Sequence, residues 1–346
     1  MNLPYIYNIY NVKKMMFFVL IASIPAMLTE CYFFGVVILI QIFLFIICSL
    51  LLEIIILKIC RKNIKDNILD NSSLVTSVLL GLSIPSTLTW WMIIFSSFFA
   101  IVVSKHLYGG LGQNIFNPAM IGYAVLLISF PLNMSSYYKE NTKLFSLDDL
   151  QTSINKIFFK TKKSIILNNS PDIFTEATPL NNFKNTSRIF YDTSLKDVTI
   201  QNKKITIFTP WSYINISFLL GGIFLLYKKI ICWRIPLSFL LSIFILSILS
   251  YLFSTNFIVS PFFHLFSGGT MICAFFISTD PVTTSYSNIG KMIFGLILGL
   301  LVYIIRIYSD YPDGVAFAVL LGNMLVPLID DFLNTSGYGH KKYERF

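Results

Sequence analysis

Ten apolar segments, parted by short polar or glycine- and proline-marked breaks, decide what this chain can become. A helix needs about 20 apolar residues to cross the hydrocarbon core of a bilayer, fewer where polar ends reach the interface. On that rule the first five segments lie near 15–30, 32–57, 73–88, 90–104 and 117–132. The second five lie near 211–228, 236–254, 258–278, 290–308 and 313–330. Pro85 interrupts the third, and Asp280-Pro281 stops the eighth early, because proline lacks an amide hydrogen and restricts its predecessor. Charged residues make up 12% of the chain and hydrophobic ones 55%, where a soluble protein carries roughly a quarter charged residues. The expected fold is an all-α integral membrane protein of about ten transmembrane helices. Met15–Thr29 reads as a retained first span, since no early run has the cleavage-site pattern of a signal peptide.

Lys and Arg in the short loops set the orientation. With the N-terminus inside, the inner segments hold Lys13 and Lys14; Lys58, Arg61, Lys62 and Lys65; Lys105; Lys228, Lys229 and Arg234; Lys291; and Lys341, Lys342 and Arg345. Those are fourteen, against Arg306 alone near an outer helix end. Both termini are therefore expected in the cytoplasm. The polar stretch at 133–209 carries eleven more basic residues, but loops of that length cross largely regardless of charge, so it is expected outside. The Ile, Asn, Lys and Phe excess fits an AT-rich genome, so the net charge of +9 does not argue for nucleic-acid binding.

The two sets of five spans look related. GYAVLL at 122–127 and AFAVLL at 316–321 are 194 residues apart, and Thr76 and Thr270 keep the same offset. Five is odd, so a repeat of five spans would sit inverted, with sites expected where broken helices of the two halves meet. The domains expected are a first membrane half at 1–132, an external loop at 133–209 and a second membrane half at 210–346.

Two segments are broken. Gly109–Pro131 begins GGLGQN and carries Asn114, Asn117 and Pro118 into an apolar run. Irregular backbone at membrane depth is tolerated only where protein packs it or water fills a cavity. In Ser267–Asn288, Gly268 and Gly269 permit close helix approach, and Ser278, Thr279, Thr283, Thr284, Ser285 and Ser287 offer hydroxyls. Those hydroxyls suit a polar ring system, a phosphate or a hydrated ion, or else merely cap a turn. Asn114, Asn117 and Asp280 are the candidates for a polar site in the membrane.

Glu53, Arg306 and Asp330-Asp331 are expected to snorkel to an interface, where a charge costs far less than the roughly 3 kcal/mol at the bilayer centre. His106 and His264 have no spacing for a metal pair, and His264 reads as an interhelical hydrogen-bonding residue. Cys31, Cys48, Cys60, Cys232 and Cys273 show no CxxC spacing, so neither a disulfide framework nor an iron–sulfur site is signalled, and no metal is expected. In the outer loop, Asp172-Ile173-Phe174-Thr175-Glu176-Ala177-Thr178-Pro179-Leu180 reads by itself as a turn with two threonines.

Together, GGLGQNIFNPAM at 109–120, STDPVTTSYSN at 278–288 and YPDGVAFAVLLGNMLVPLID at 311–330 resemble the D-subunit family of the Rnf (Rsx) ion-translocating electron-transport complex. The chain is also similar to the B-subunit of the sodium-translocating NADH:quinone reductase. The resemblance spans nearly the whole chain and is weakest in the outer loop. In that family FMN is joined through its phosphate to a threonine hydroxyl within D-x-x-[ST]-G-A-T. Asp172, Thr175, Ala177 and Thr178 match, which implies Thr178 as the attachment residue and a flavin transferase as the maturation partner. Glu176 stands where glycine is usual, adding bulk and a negative charge beside a phosphodiester, while Pro179-Leu180 agrees with the Rnf version of the motif.

The resemblance implies covalent FMN, a second non-covalent flavin in some members, and partner subunits of a bacterial inner-membrane complex linking ferredoxin or NADH oxidation to ion movement. No dinucleotide fingerprint is present, so NADH would bind a partner, and no residue is expected to be catalytic in this chain alone. Two other classes stay open. A channel or secondary transporter also uses inverted repeats with broken helices, but ionisable residues at mid-membrane are scarce. A scaffold without flavin would follow if Glu176 abolished attachment.

Overall fold

A computed structural model describes residues 12–138, 175–181, 209–253, 260–311 and 313–333, with position 184 and a few between 151 and 158. Six helices in it are long and apolar enough to cross a membrane. They are α1 (Val12–Phe34), α2 (Val37–Ile59), α8 (Pro210–Tyr227), α9 (Arg234–Phe253), α12 (Asn288–Tyr308) and α13 (Val315–Leu333). Shorter elements stand between them: α3 (Ile64–Ile68), α4 (Ser72–Ser83), α5 (Trp90–Phe98), α6 (Pro118–Ser129) and α7 (Pro131–Ser135). The eighth apolar segment is divided into α10 (Pro261–Phe266), α11 (Thr270–Ile272) and a π-wound stretch, Cys273–Ile277. A second π-wound stretch, Phe99–His106, continues α5.

Local chemistry sets the helix starts. Asn117 caps α6, its Oδ1 accepting from the amides of Ala119 (3.0 Å) and Met120 (3.4 Å), with Pro118 at the first helical position. Thr209 and Ser212 form a capping box at α8, followed by Pro210. The third segment ends at Ser83 rather than running on to 88, because Ile84, held before Pro85, is extended.

The helices pack in pairs that are distant in sequence as well as near. Helix α1 lies against α8, α6 against α13, α2 against α5, and α9 against α12. One pair of strands completes the described residues: β1 (Ser136–Tyr138) runs antiparallel to β2 (Thr175–Ala177), pairing Tyr137 with Glu176 and Tyr138 with Thr175. Residues 175–177 of the threonine motif are thereby tied to the chain leaving α6 and α7.

One expectation needs correction and another needs extending. Glu53 and Arg306 do not snorkel. Glu53 and Lys105 form an ion pair with side chains 1% and 3% exposed, and Arg306, also 1% exposed, pairs with Asp313 at 3.1 Å. An unpaired charge at membrane depth is costly, and a partner from another segment removes the need to reach the interface. Gly268 and Gly269 do more than allow close approach. Gly268 adopts φ +61°, which breaks the helix between α10 and α11.

Candidate functional site

Thr178 sits in a short segment held between the end of α7 and the stretch from α10 to α13. Its hydroxyl accepts from the Asn181 amide at 3.2 Å, and Asn181 Nδ2 donates to the Ser135 carbonyl at 3.4 Å, anchoring the segment to the end of α7. On the other side Leu180, fully buried, presses onto the break before α11. A Cβ on Gly268 would lie 2.6 Å from Leu180 Cδ1, so no larger residue fits. Lys184 donates to the carbonyls of Ser309 (3.1 Å) and Tyr311, fastening the same segment to the turn between α12 and α13.

That break is itself braced from three directions. Asn215 of α8 donates to the carbonyls of Phe266 (3.0 Å) and Gly268 (2.9 Å) and accepts from the Met271 amide (3.2 Å). Arg306 donates to the His264 carbonyl at 2.7 Å and to Thr270 Oγ1 at 3.1 Å. Asp313 accepts from the amides of Gly269 and Gly314, each at 2.7 Å. The groups freed by the broken helix are thus paired by side chains, as backbone buried in a membrane requires.

The result is a cavity of about 70 Å³, lined by Glu30, Tyr123, Tyr137, Thr178, Trp211 and Asp313 among others. Thr178, 9% exposed, stands in its wall. Tyr137 meets Trp211 edge-on, with ring centroids 4.7 Å apart. Desolvation first, then the charges of Tyr123, Glu30 and Asp313, holds the Tyr137 phenol well above its ordinary range.

A second, larger cavity of about 280 Å³ opens toward the start of α1. Asn114, Asn117 and Asp280, the three polar candidates, all line it, with Ser72, Thr76, Lys105 and Thr279. Lys105 closes one wall, bound to Glu53 and donating to Ser72 Oγ (2.8 Å) and Ser73 Oγ (3.2 Å), while His106 Nε2 lies 3.5 Å from Glu53. The two cavities stand back to back. Met120 and Ile277 line the first, and their neighbours Ala119 and Phe276 line the second. At this seam Asn117 Nδ2 donates across the molecule to the Ile277 carbonyl at 3.3 Å.

The hydroxyl run is used mostly by the fold. Ser278 and Thr279 return to backbone carbonyls one turn back, Thr283 donates to Asp280 (3.3 Å), Ser285 binds Asp330, and Ser287 caps α12. The capping reading therefore describes these residues better than a phosphate cradle. His264 is buried with its ring edge toward Tyr303, centroids 5.5 Å apart. All five cysteines are free thiols, and no group of His, Cys, Asp or Glu suited to a metal ion occurs among the described residues. Asp172 lies outside the described residues. Thr175 and Ala177 are placed by their backbone in β2, Ala177 opposite Ser136.

Residues 1–339 match the sequence pattern of the NQR2, RnfD, RnfE family. The chain belongs to that family. It is 61% identical to the D-subunit of the ion-translocating oxidoreductase complex of Buchnera aphidicola subsp. Schizaphis graminum, across 99% of this chain and 98% of the relative. It is 42% identical to proteins of the same name from Yersinia pseudotuberculosis serotype I and Escherichia coli K12, in each case across 98% of this chain and 97% of the relative. Four residues that shape the sites of this NQR2, RnfD, RnfE family chain escaped sequence reasoning. Glu30 falls one position past the first apolar run, Asn215 is a lone amide in an apolar helix, Asp313 sits inside a motif read as a whole, and Lys105 reads as a loop charge.

Proposed function

We propose that this chain is a membrane subunit of an ion-translocating oxidoreductase complex. It carries electrons on FMN joined to Thr178, between partner subunits linked to ferredoxin or NADH, and couples that flow to ion transport. The observation that carries the reading is the seating of Thr178: its hydroxyl stands in the wall of a cavity built from both parts of the chain, held by Asn181, Leu180 and Lys184.

The residues present fit such a group in part. Thr178 supplies the hydroxyl an ester needs, and Tyr137 and Trp211 supply aromatic walls beside it. About 70 Å³ holds water or a small ion but not a three-ring cofactor, so the ring system would stand at the mouth. FMN, when bound, supplies the electron chemistry, while the protein supplies position and electrostatics. This chain's residues fix the attachment point, keep Arg306 and Asp313 paired close to it, and hold the broken backbone around it. Glu176 pairs through its backbone with Tyr137, and a flavin transferase would have to accept an acidic residue two positions before Thr178. The second cavity, with Asn114, Asn117 and Asp280, is where a non-covalent flavin would find polar partners.

The same reading takes the short helices and the divided segment as spans, making ten in two inverted halves, 1–132 and 210–346, with 133–209 on the periplasmic side of a bacterial inner membrane and both termini in the cytoplasm. A correspondence across the chain supports it. Lys105 and Arg306 each sit in the last turn of the fourth segment of their half. Each pairs with a carboxylate, Glu53 or Asp313, and each donates to hydroxyls at the start of a third-segment helix, Ser72 and Ser73 or Thr270. Two buried ion pairs beside two cavities would equally suit a channel or secondary transporter, which is the second reading. In-gel flavin fluorescence of the denatured protein separates the two. Fluorescence that appears only in a host with flavin transferase supports the redox reading, and its absence there counts against that reading.

A further inference from the structure

Glu30 lies near the end of α1, is 7% exposed and lines the small cavity that Thr178 walls. Among the described residues nothing donates a hydrogen bond to its carboxyl or forms an ion pair with it. The groups that face the cavity with it are Tyr123 from α6, Tyr137 from β1 and Asp313 from the turn before α13. The cations close by are committed elsewhere: Arg306 to Asp313 and the carbonyls of His264 and Ser267, Lys184 to the carbonyls of Ser309 and Tyr311. The other carboxylates described beside a cavity have donors, Glu53 in Lys105, Asp313 in Arg306 and Asp280 in Thr283. A carboxylate left alone at such depth is unstable unless a cation joins it, and an intramembrane ionisable residue of this kind marks a functional position. The cavity is large enough for water or a small ion.

We propose that Glu30 is a binding site for one monovalent cation, a proton or a sodium ion, in the cavity beneath Thr178. One carboxylate balances one unit of charge, and Tyr123 and Tyr137 line the same space. The site stands on the geometry of this chain and does not depend on a flavin at Thr178. It would give the complex a place to take up or release a cation on the proposed outer face.

Dicyclohexylcarbodiimide tests this on the whole complex in membrane vesicles, with modification read at the Glu30 peptide by mass spectrometry. The reagent takes the acid proton onto a nitrogen while the carboxylate adds to its central carbon, and the O-acylisourea so formed rearranges to a stable N-acylurea. An ionised or sodium-loaded carboxylate does not react this way. Labelling of Glu30 is expected to fall as the pH rises, tending to about tenfold per unit once the carboxyl is mostly ionised. Sodium chloride in place of choline chloride at fixed pH will slow labelling if sodium is the cation and leave it unchanged if only the proton binds. Either supports the site. Absence of label at every pH, or one rate at every pH, overturns it. The same series in Thr178→Val is expected to match the parent, so a failure at Glu30 and a failure of the flavin assignment register separately.

Discussion

In the broken eighth segment, Arg306→Met removes the countercharge of Asp313 and takes donors from the carbonyls of His264 and Ser267 and from Thr270. Breaking a buried ion pair from one side costs about 3–5 kcal/mol, mostly through the stranded charge. Asp313 keeps 14% of its side chain exposed and holds two backbone amides, so the low end applies. About 3 kcal/mol is roughly a hundredfold in the folded-to-unfolded ratio. Adding Asp313→Asn should restore part of the loss, because a carboxamide oxygen still accepts from Gly269 or Gly314 and leaves no charge behind. The coupling between the two substitutions is expected at about 1–3 kcal/mol, with the double variant more stable than Arg306→Met alone. Equilibrium unfolding in mixed micelles with increasing dodecyl sulfate measures all four species. If the two effects simply add to within about 0.5 kcal/mol, the pair does not act as described.

Three further outcomes follow from the geometry. Cys60 and Cys232 are exposed at loops assigned to the cytoplasm, so an impermeant thiol reagent should spare both in intact spheroplasts and label Asp148→Cys; the reverse pattern would invert the topology. Asp280→Leu should impair electron flow or ion coupling while leaving assembly intact, and unchanged flux and unchanged ion movement would reduce the residue to a helix stop. Asn117→Ala should destabilise by about 1–2 kcal/mol through the lost cap of α6 and raise proteolysis at the seam with Ile277, whereas Asn117→Asp keeps the cap and should lose less.

Hydropathy made the helices legible because lipid imposes one demand on every segment that crosses it. Breaks were legible where proline, or a run of glycine and polar residues, announced them. Pro85 stops α4 and Ser267-Gly268-Gly269-Thr270 marks the second break, but what holds that break open could not be read, because Asn215, Arg306 and Asp313 supply its partners from three other segments. The ion pairs were unreadable for the same reason. Glu53 and Lys105 are 52 positions apart, and a solitary charge near a helix end looks alike whether it snorkels or meets a partner. Asn114, Asn117 and Asp280 stand out as polar interruptions in apolar surroundings, and the fold brings all three to one cavity. Thr178 owed its selection to a motif. Nothing in composition foretold that Leu180 would fill the space left by Gly268 and hold the threonine at the junction.

One oxygen atom decides the central claim. Thr178→Val keeps the shape of the side chain and the packing of Leu180 but removes the hydroxyl that an FMN ester requires. The measurement is in-gel flavin fluorescence of the denatured protein, made in a host with flavin transferase and scaled to the amount of chain loaded. Parent protein is expected to fluoresce, Thr178→Val to be dark, and Thr175→Val to retain signal. Fluorescence from Thr178→Val as bright as the parent would place the flavin elsewhere and contradict the account.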